Sequence, residues 1–161
     1  MEIWRPNGLV SPLPLPEGCG VDEVIAVWMP VGEVRPKDPL PNLTNVPLVN
    51  AFEASTFATA KRANEHASAR YALATLLRDI GFDPFDLQIV RDEHRKPKLV
   101  WKDTEARVRA GGPLSPQLPE ISLGHSNGVS IAAVSLNGSS IGIDAEPLGV
   151  TRARNLLTMM A

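Results

Sequence analysis

Two carboxylates stand two positions apart in residues 142–146, whose sequence is GIDAE. In a β-strand, residues i and i+2 point to the same side, so Asp144 and Glu146 would project together while Ile143 faces the core. Two adjacent carboxylates repel each other unless a positive charge lies between them. Mg²⁺ binds oxygen ligands and usually takes one or two carboxylates together with substrate phosphates. The pair is therefore a candidate magnesium site, and the alternative is two solvated acids at a strand end.

A histidine and a serine, His125 and Ser126, are adjacent in a segment of small and polar residues. An imidazole and a hydroxyl can both donate hydrogen bonds to phosphate oxygens, whereas an ordinary polar loop is the alternative. A hydrolase triad of these two residues with Asp144 is disfavoured. The sequence has no G-x-S-x-G turn, and side chains adjacent in sequence seldom form a nucleophile–base pair.

Basic side chains recur in two further places. Arg62, His66 and Arg70 follow one another at four-residue steps, which predicts one basic face of a helix. Lys96 and Pro97 belong to a charged segment, residues 91–98. Such surfaces bind phosphates, although most of them are only solvated. Together with the paired carboxylates, these groups are typical of a polyphosphate site served by Mg²⁺, and the glycine-rich loop of P-loop enzymes is absent from the sequence.

The elements that would position these groups are predicted from composition and periodicity. Residues 56–80 lack proline, are rich in alanine and leucine, and precede Gly81, which predicts a long helix. Strands are predicted over residues 21–29, 87–91, 99–101, 130–136 and 140–146. Asn137-Gly138 is a preferred hairpin turn, so the last two strands are expected to pair. Irregular segments are predicted over 5–20, 35–49 and 103–119, and a helix is expected to begin at residue 151. The pattern favours an α+β fold in which one long helix packs on a mainly antiparallel sheet.

Composition narrows the function classes. The chain has 161 residues, which is the size of one domain, and its net charge of −2 disfavours a uniformly basic nucleic-acid binder. Residues 56–110 nevertheless carry eleven basic and eight acidic side chains, so an anionic ligand is expected there. Cys19 is the only cysteine, which excludes an internal disulfide and a cysteine-based zinc site. No secretory signal or membrane span is recognisable, so a cytoplasmic setting is expected.

The order of these motifs resembles the 4′-phosphopantetheinyl transferases of the type that activates surfactin and enterobactin synthetases. The motifs are Arg62-x-x-Glu65-x-x-x-x-Arg70 on the helix, the turn Arg95-Lys96-Pro97, Ser122-Leu-Gly-His125-Ser126, and Gly142-Ile-Asp144-Ala-Glu146. The resemblance covers roughly residues 55–150. It implies transfer of the phosphopantetheine arm of coenzyme A to a serine of an apo carrier protein. The carrier would belong to a fatty-acid, polyketide or non-ribosomal-peptide synthase, and neither nucleic acid nor a membrane is expected as a partner.

The resemblance also implies an architecture. Members of the family are pseudo-dimers of two α+β halves that bind coenzyme A between them. Residues 1–50 would be a proline-rich segment of the first lobe, residues 51–147 its main part, and residues 148–161 the start of a truncated second lobe. Asp144 and Glu146 would hold Mg²⁺ against the pyrophosphate. The residues expected to bind coenzyme A are Arg62, Arg70, Lys96, Pro97, His125 and Ser126.

The sequence departs from the family pattern at three points. Gly124 stands where a serine usually precedes the histidine, and Arg95 stands where glycine is frequent. The third family motif, W-x-x-K-E, does not occur among the fifteen residues after Glu146. We therefore expect an incomplete transferase, and the alternative is an inactive coenzyme A-binding remnant. A metal-dependent nuclease ranks lower, because the lysine of the D/E-x-K pattern is missing, and an α+β domain without a ligand is the remaining possibility.

Overall fold

A computed structural model of the chain describes residues 2–14, 24–126, 128–136, 141–145 and 157–160, with only the backbone described for 142–145 and 157–160. The helices are α1 (Ala51–Ser55), α2 (Ala60–Asp79) and α3 (Thr104–Arg109), together with short 3₁₀ turns at Pro84–Asp86 and Gly112–Leu114. The strands are β1 (Ser11–Pro12), β2 (Val24–Pro30), β3 (Leu87–Arg91), β4 (Pro97–Trp101), β5 (Glu120–Ser126), β6 (Val129–Ser135), β7 (Gly142–Ala145) and β8 (Leu157–Met160). Within the described ranges, no helix has the length and apolar character needed to cross a membrane.

The central sheet has the strand order β1-β2-β6-β5, and every neighbouring pair is antiparallel. Ala133 in β6, for example, lies opposite Ala26 of β2 and Ser122 of β5. Helix α2 packs on one face of this sheet against β2, β5 and β6. The fully buried side chains at this interface include Met29, Leu73, Leu77, Ile121 and Val134. The predicted α+β class, with a long helix on a mainly antiparallel sheet, is confirmed.

Helix α2 begins four residues later than the composition predicts. The hydroxyl of Thr59 accepts a hydrogen bond from the backbone N–H of Arg62 (3.2 Å), which is the contact of an N-terminal cap. A separate short helix, α1, precedes it and is capped by Asn50, whose side chain accepts from the N–H of Glu53. At the other end Gly81 has φ +98°, a left-handed conformation that suits glycine and ends the helix. The prediction over residues 56–80 is therefore correct in type and too long at its start.

Strands β3 and β4 form a separate antiparallel hairpin that places Arg91 opposite Pro97. The carboxylate of Asp92 closes the turn, since it accepts from the backbone N–H groups of His94 (2.8 Å) and Lys96 (2.9 Å). Arg95 adopts φ +63°, the left-handed region. Because the turn is this tight, β4 begins at Pro97, two residues earlier than predicted.

The predicted hairpin between residues 130–136 and 140–146 is wrong. Both edges of β6 are occupied, one by β2 and the other by β5. Ser126 of β5 lies opposite Val129 of β6, and the two residues between them in the sequence, Asn127-Gly128, are a second copy of the same preferred dipeptide. Gly128 has φ +80°, whereas residues 127 and 137–140 lie outside the described residues. Strand β7 pairs instead with β8, and Gly142 lies opposite Met160.

Two further expectations are corrected. The helix predicted from residue 151 is absent at 157–160, because these residues form β8, whose pairing with β7 overrides their helical propensity. Residues 151–156 lie outside the described residues. The predicted loop over 103–119 contains α3, whose start is capped by the carboxylate of Asp103 on the backbone N–H of Ala106 (2.7 Å). Ala106 is fully buried, so this short helix is anchored by packing as well as by its cap.

Candidate functional site

A cavity of about 210 Å³, here called the arginine cavity, lies where α1, α2, the β3–β4 hairpin and the end of β5 meet. Its basic lining residues are Arg62, His66, Arg70, Arg91 and His125, and its acidic ones are Glu53 and Glu65. Pro97 and Gly124 complete its wall. The helix, the hairpin and the strand thus bring groups that are far apart in sequence to one concave, charged surface.

Arg70 is the most deeply buried charge of this cavity. Its exposed fraction is 6%, and among the residues that the structure describes its Nε atom has no hydrogen-bond partner. Burial lowers the pKa of the guanidinium to about 10, while the nearby carboxylate of Glu53 opposes this shift. A buried cation with an unsatisfied donor is costly unless something anionic approaches it. The position of Arg70 therefore suits an anionic ligand.

His66 lies one helical turn before Arg70. The sequence predicts it on a basic helix face, but the structure shows a buried ring. It is 8% exposed, and its Nε2 atom has no hydrogen-bond partner within the described ranges. Burial and then the charge of Arg70 lower its pKa to about 3, so its ring is neutral at pH 7. The ring packs edge-on against Phe57, with 4.8 Å between the centroids. Only Arg62 of the predicted face is exposed, and its guanidinium lies 6.0 Å from the centre of the Phe57 ring.

An ion pair closes one side of the arginine cavity. Arg91 Nη2 lies 3.0 Å from Glu53 Oε1, which links the end of β3 to α1. Burial opposes ionisation of Glu53, but the hydrogen bond and the charge of Arg91 outweigh it, so the pKa of this carboxyl is lowered. The carboxylate of Glu53 therefore stays ionised and partly offsets the charge of the neighbouring arginines.

A contact between Glu65 and His125 lies between the arginine cavity and another cavity. His125 Nδ1 lies 2.5 Å from Glu65 Oε2, and both residues line both cavities. The second cavity has a volume of about 400 Å³ and lies between residues 31–35, α2 and the β5–β6 turn. Asn64 fixes its wall, since its Nδ2 donates to the carbonyl of Gly32 (3.0 Å). Ser126 also lines the second cavity.

The structure brings four of the six residues expected to bind coenzyme A to the arginine cavity: Arg62, Arg70, Pro97 and His125. Ser126 lines the neighbouring cavity, and the Nζ of Lys96 lies 3.9 Å from Glu120 Oε2 on β5. Three residues of the arginine cavity were not expected to bind coenzyme A: Glu53, Arg91, and Glu65, which the helix motif contains without a role. Arg91 could have been inferred from the register, because a hairpin around residues 92–96 places it opposite Pro97.

The predicted magnesium ligands are Asp144 and Glu146. The backbone of Asp144 lies in β7, opposite Thr158, and this strand contacts β5, which carries His125. Glu146 lies outside the described residues, and so does the side chain of Asp144. In the side chains that are described, no cluster of three or more His, Cys, Asp or Glu is arranged to hold a metal ion. The carboxylate pair therefore stays a prediction.

Comparison of the chain with known family models finds no match, and comparison with curated proteins finds none either.

Proposed function

We propose that the chain binds coenzyme A through its phosphates in the arginine cavity and serves the Mg²⁺-dependent transfer of phosphopantetheine to an apo carrier protein. The observation that carries this proposal is Arg70, a buried guanidinium whose Nε has no partner among the described residues. Arg62 and Arg91 lie in the same cavity, and the neutral His66 adds a buried ring nitrogen that no described residue contacts with a hydrogen bond. Guanidinium groups match the geometry of phosphate oxygens and bind them with paired hydrogen bonds.

The second cavity offers a place for the part of coenzyme A beyond its phosphates. It shares Glu65 and His125 with the arginine cavity, so a ligand whose phosphates occupy one cavity can continue into the other. Its lining combines three valines with charged side chains, among them Glu33, Arg35 and Lys61, and its volume is about 400 Å³. The valines suit the aliphatic parts of a ligand, and the charged groups can form hydrogen bonds with its amide and hydroxyl groups. The pantetheine arm has this chemistry, and we assign it to the second cavity.

In the proposed reaction, the hydroxyl oxygen of a carrier serine bonds to the β-phosphorus of coenzyme A. The bond from that phosphorus to the oxygen of 3′,5′-adenosine bisphosphate breaks, and the proton of the serine hydroxyl is released to solvent. Phosphoryl transfer depends mainly on positioning and charge neutralisation, which Arg70, Lys96 and His125 supply to the leaving group. Mg²⁺ bound by Asp144 and Glu146 would neutralise the charge that develops on the phosphate oxygens.

The proposal includes the family architecture. Residues 1–50 and 51–147 form one α+β half of a pseudo-dimer, and residues 148–161 begin the second. The carrier belongs to a fatty-acid, polyketide or non-ribosomal-peptide synthase, and the reaction takes place in the cytoplasm. The antiparallel sheet with α2 on one face supports the assignment of the first half.

The test is incubation of the chain with an apo carrier protein, coenzyme A and Mg²⁺, followed by intact mass spectrometry of the carrier. If the chain transfers despite the missing W-x-x-K-E motif, the carrier gains one phosphopantetheine with the wild-type chain and with Arg78→Met, an exposed position of α2 outside the cavity. Asp144→Asn and Arg70→Met should abolish the gain. An unmodified carrier would show that the chain does not transfer by itself, as its missing W-x-x-K-E motif implies, and bound coenzyme A would then leave an incomplete transferase or an inactive binding remnant. An unmodified carrier and no binding of coenzyme A would contradict the proposal.

A further inference from the structure

The contact between Glu65 and His125 joins two elements that are far apart in sequence. Glu65 lies on α2, near the start of the helix, and His125 is the penultimate residue of β5. The Nδ1–Oε2 distance is 2.5 Å, and the exposed fractions of the two side chains are 17% for Glu65 and 40% for His125. The carboxylate is thus largely enclosed, whereas part of the imidazole faces the cavities.

A carboxylate on one ring nitrogen determines what the other nitrogen can do. An acceptor at Nδ1 favours the tautomer with a proton on Nδ1 and restricts rotation of the ring. Nε2 is then the nitrogen left for a ligand. The neighbouring position 124 is glycine and carries no hydroxyl, so Glu65 is the polar side chain that holds the ring in the described part of the chain.

The Glu65–His125 contact lies where the restrained ring could bind a ligand. Glu65 and His125 both line the arginine cavity and the second cavity, so the ring stands at the junction between them. We propose that Glu65 is a positioning residue, which accepts from Nδ1–H of His125 and holds the ring so that Nε2 faces the junction of the two cavities, where the doubly protonated ring donates Nε2–H to a phosphate group. The identity of the phosphate ligand as coenzyme A rests on the proposed function, whereas the restraint on the ring does not.

The restraint can be tested on the free chain by long-range proton–nitrogen NMR spectra of the imidazole rings. The chain has only three histidines, and the variants His66→Gln and His94→Gln assign the signals. We expect His125 to carry its proton on Nδ1 in the wild-type chain and to lose this preference in Glu65→Ala. Glu65→Asp is the sharper variant, because it keeps the charge on α2 but is one carbon shorter and cannot reach the ring. Glu105→Ala, an exposed acid of α3, is the control and should leave the His125 signals unchanged.

The effect of the Glu65–His125 contact on ligand affinity is tested by calorimetric titration of coenzyme A into the same variants. We expect Glu65→Asp and Glu65→Ala to bind about tenfold more weakly than the wild-type chain, as is typical when a group that orients a ligand-binding histidine is lost. A His125 tautomer that does not change in Glu65→Asp, or unchanged affinity in that variant, would overturn the proposal. A wild-type chain that shows the Nδ1 proton but binds no coenzyme A would refute the proposed function and the phosphate role of His125, while the restraint on the ring would stand.

Discussion

His66 and Arg70 lie one turn apart on α2, and both present a buried nitrogen, Nε2 and Nε respectively, that has no hydrogen-bond partner among the described residues. Each such atom loses its hydration without replacement, which destabilises the folded chain. Folded proteins rarely keep two unsatisfied groups side by side, and where they do, the groups often belong to a functional site. The pair therefore marks the arginine cavity as a site that gains its missing partners from a ligand.

Replacement of Arg70 by methionine should stabilise the ligand-free chain. Methionine has a similar length and removes a buried charge whose Nε has no hydrogen-bond partner in the described part of the chain, so we expect the free energy of unfolding to rise by about 1 kcal/mol. Urea denaturation measures this change. Arg78→Met, at an exposed position of the same helix, should change stability by no more than about 0.5 kcal/mol. A large loss of stability in Arg70→Met would instead indicate a structural role for the guanidinium.

His66 makes stability depend on pH. An unperturbed histidine has a pKa of 6.5, whereas burial and the charge of Arg70 lower the pKa of His66 to about 3. Between these values the unfolded chain binds a proton that the folded chain does not. The contribution of the neutral ring is therefore fully present above pH 6.5 and is lost as the pH falls towards 3.

When the pH falls from 7 to 4.5, the free energy of unfolding should therefore decrease less in His66→Gln than in the wild-type chain. We expect the two decreases to differ by about 2 kcal/mol. Urea denaturation at several pH values measures the difference. His94→Gln is the control, because His94 is exposed in the β3–β4 turn and should leave the wild-type pH dependence in place. Parallel curves for His66→Gln and the wild-type chain would show that His66 is not buried in its neutral form.

Arg95 occupies a backbone conformation that glycine adopts more easily. Its φ of +63° costs about 1–2 kcal/mol for a residue with a Cβ atom. Replacement by glycine would relieve this strain, but the greater conformational freedom of glycine in the unfolded chain offsets part of the stabilisation. We expect Arg95→Gly to raise the free energy of unfolding by about 0.5–1 kcal/mol. Arg95→Ala removes the same charge but keeps the strain, so it should bring no gain in urea denaturation. Equal stability of the two variants would show that the turn is not strained.

The sequence was most informative where several local signals agree. Helix α2 was predictable because helix formers, a proline-free run and Gly81 all point to the same element, and β3 was recovered at its correct bounds. Two identical dipeptides, Asn127-Gly128 and Asn137-Gly138, showed the limit of local signals. Both favour a hairpin, but only the sheet order shows that β6 takes β5 as its partner and leaves no free edge.

The site was predictable in part. The motifs single out Arg62, Arg70, Pro97 and His125, which the fold brings to one cavity. Helical periodicity places His66 beside Arg70 but carries no information on its burial, which makes the ring neutral. The partner of His125 was equally hidden, because Glu65 reaches it across the contact between α2 and the end of β5, a tertiary contact that no local pattern encodes.

The substitution Ser126→Phe tests which part of coenzyme A binds in each of the two cavities. A phenylalanine at this position would fill part of the second cavity, where we place the pantetheine arm, and leave the arginine cavity unchanged. We expect weaker binding of coenzyme A, by about tenfold, and unchanged binding of 3′,5′-adenosine bisphosphate, which lacks the arm. Ser126→Ala, which removes the hydroxyl without filling space, is the control for the loss of one hydrogen bond. Equal weakening of both ligands in Ser126→Phe would contradict the assignment of the arm.

Calorimetric titration of coenzyme A into the wild-type chain and into Arg70→Met tests the central claim most directly. The account predicts saturable binding at one site in the wild-type chain and affinity lower by at least about tenfold in Arg70→Met, because a charge-assisted hydrogen bond to phosphate contributes about 1.5–3 kcal/mol. Arg78→Met should bind as the wild-type chain does. Absence of binding to the wild-type chain, or equal affinity in Arg70→Met, would contradict the claim that the arginine cavity is a coenzyme A site.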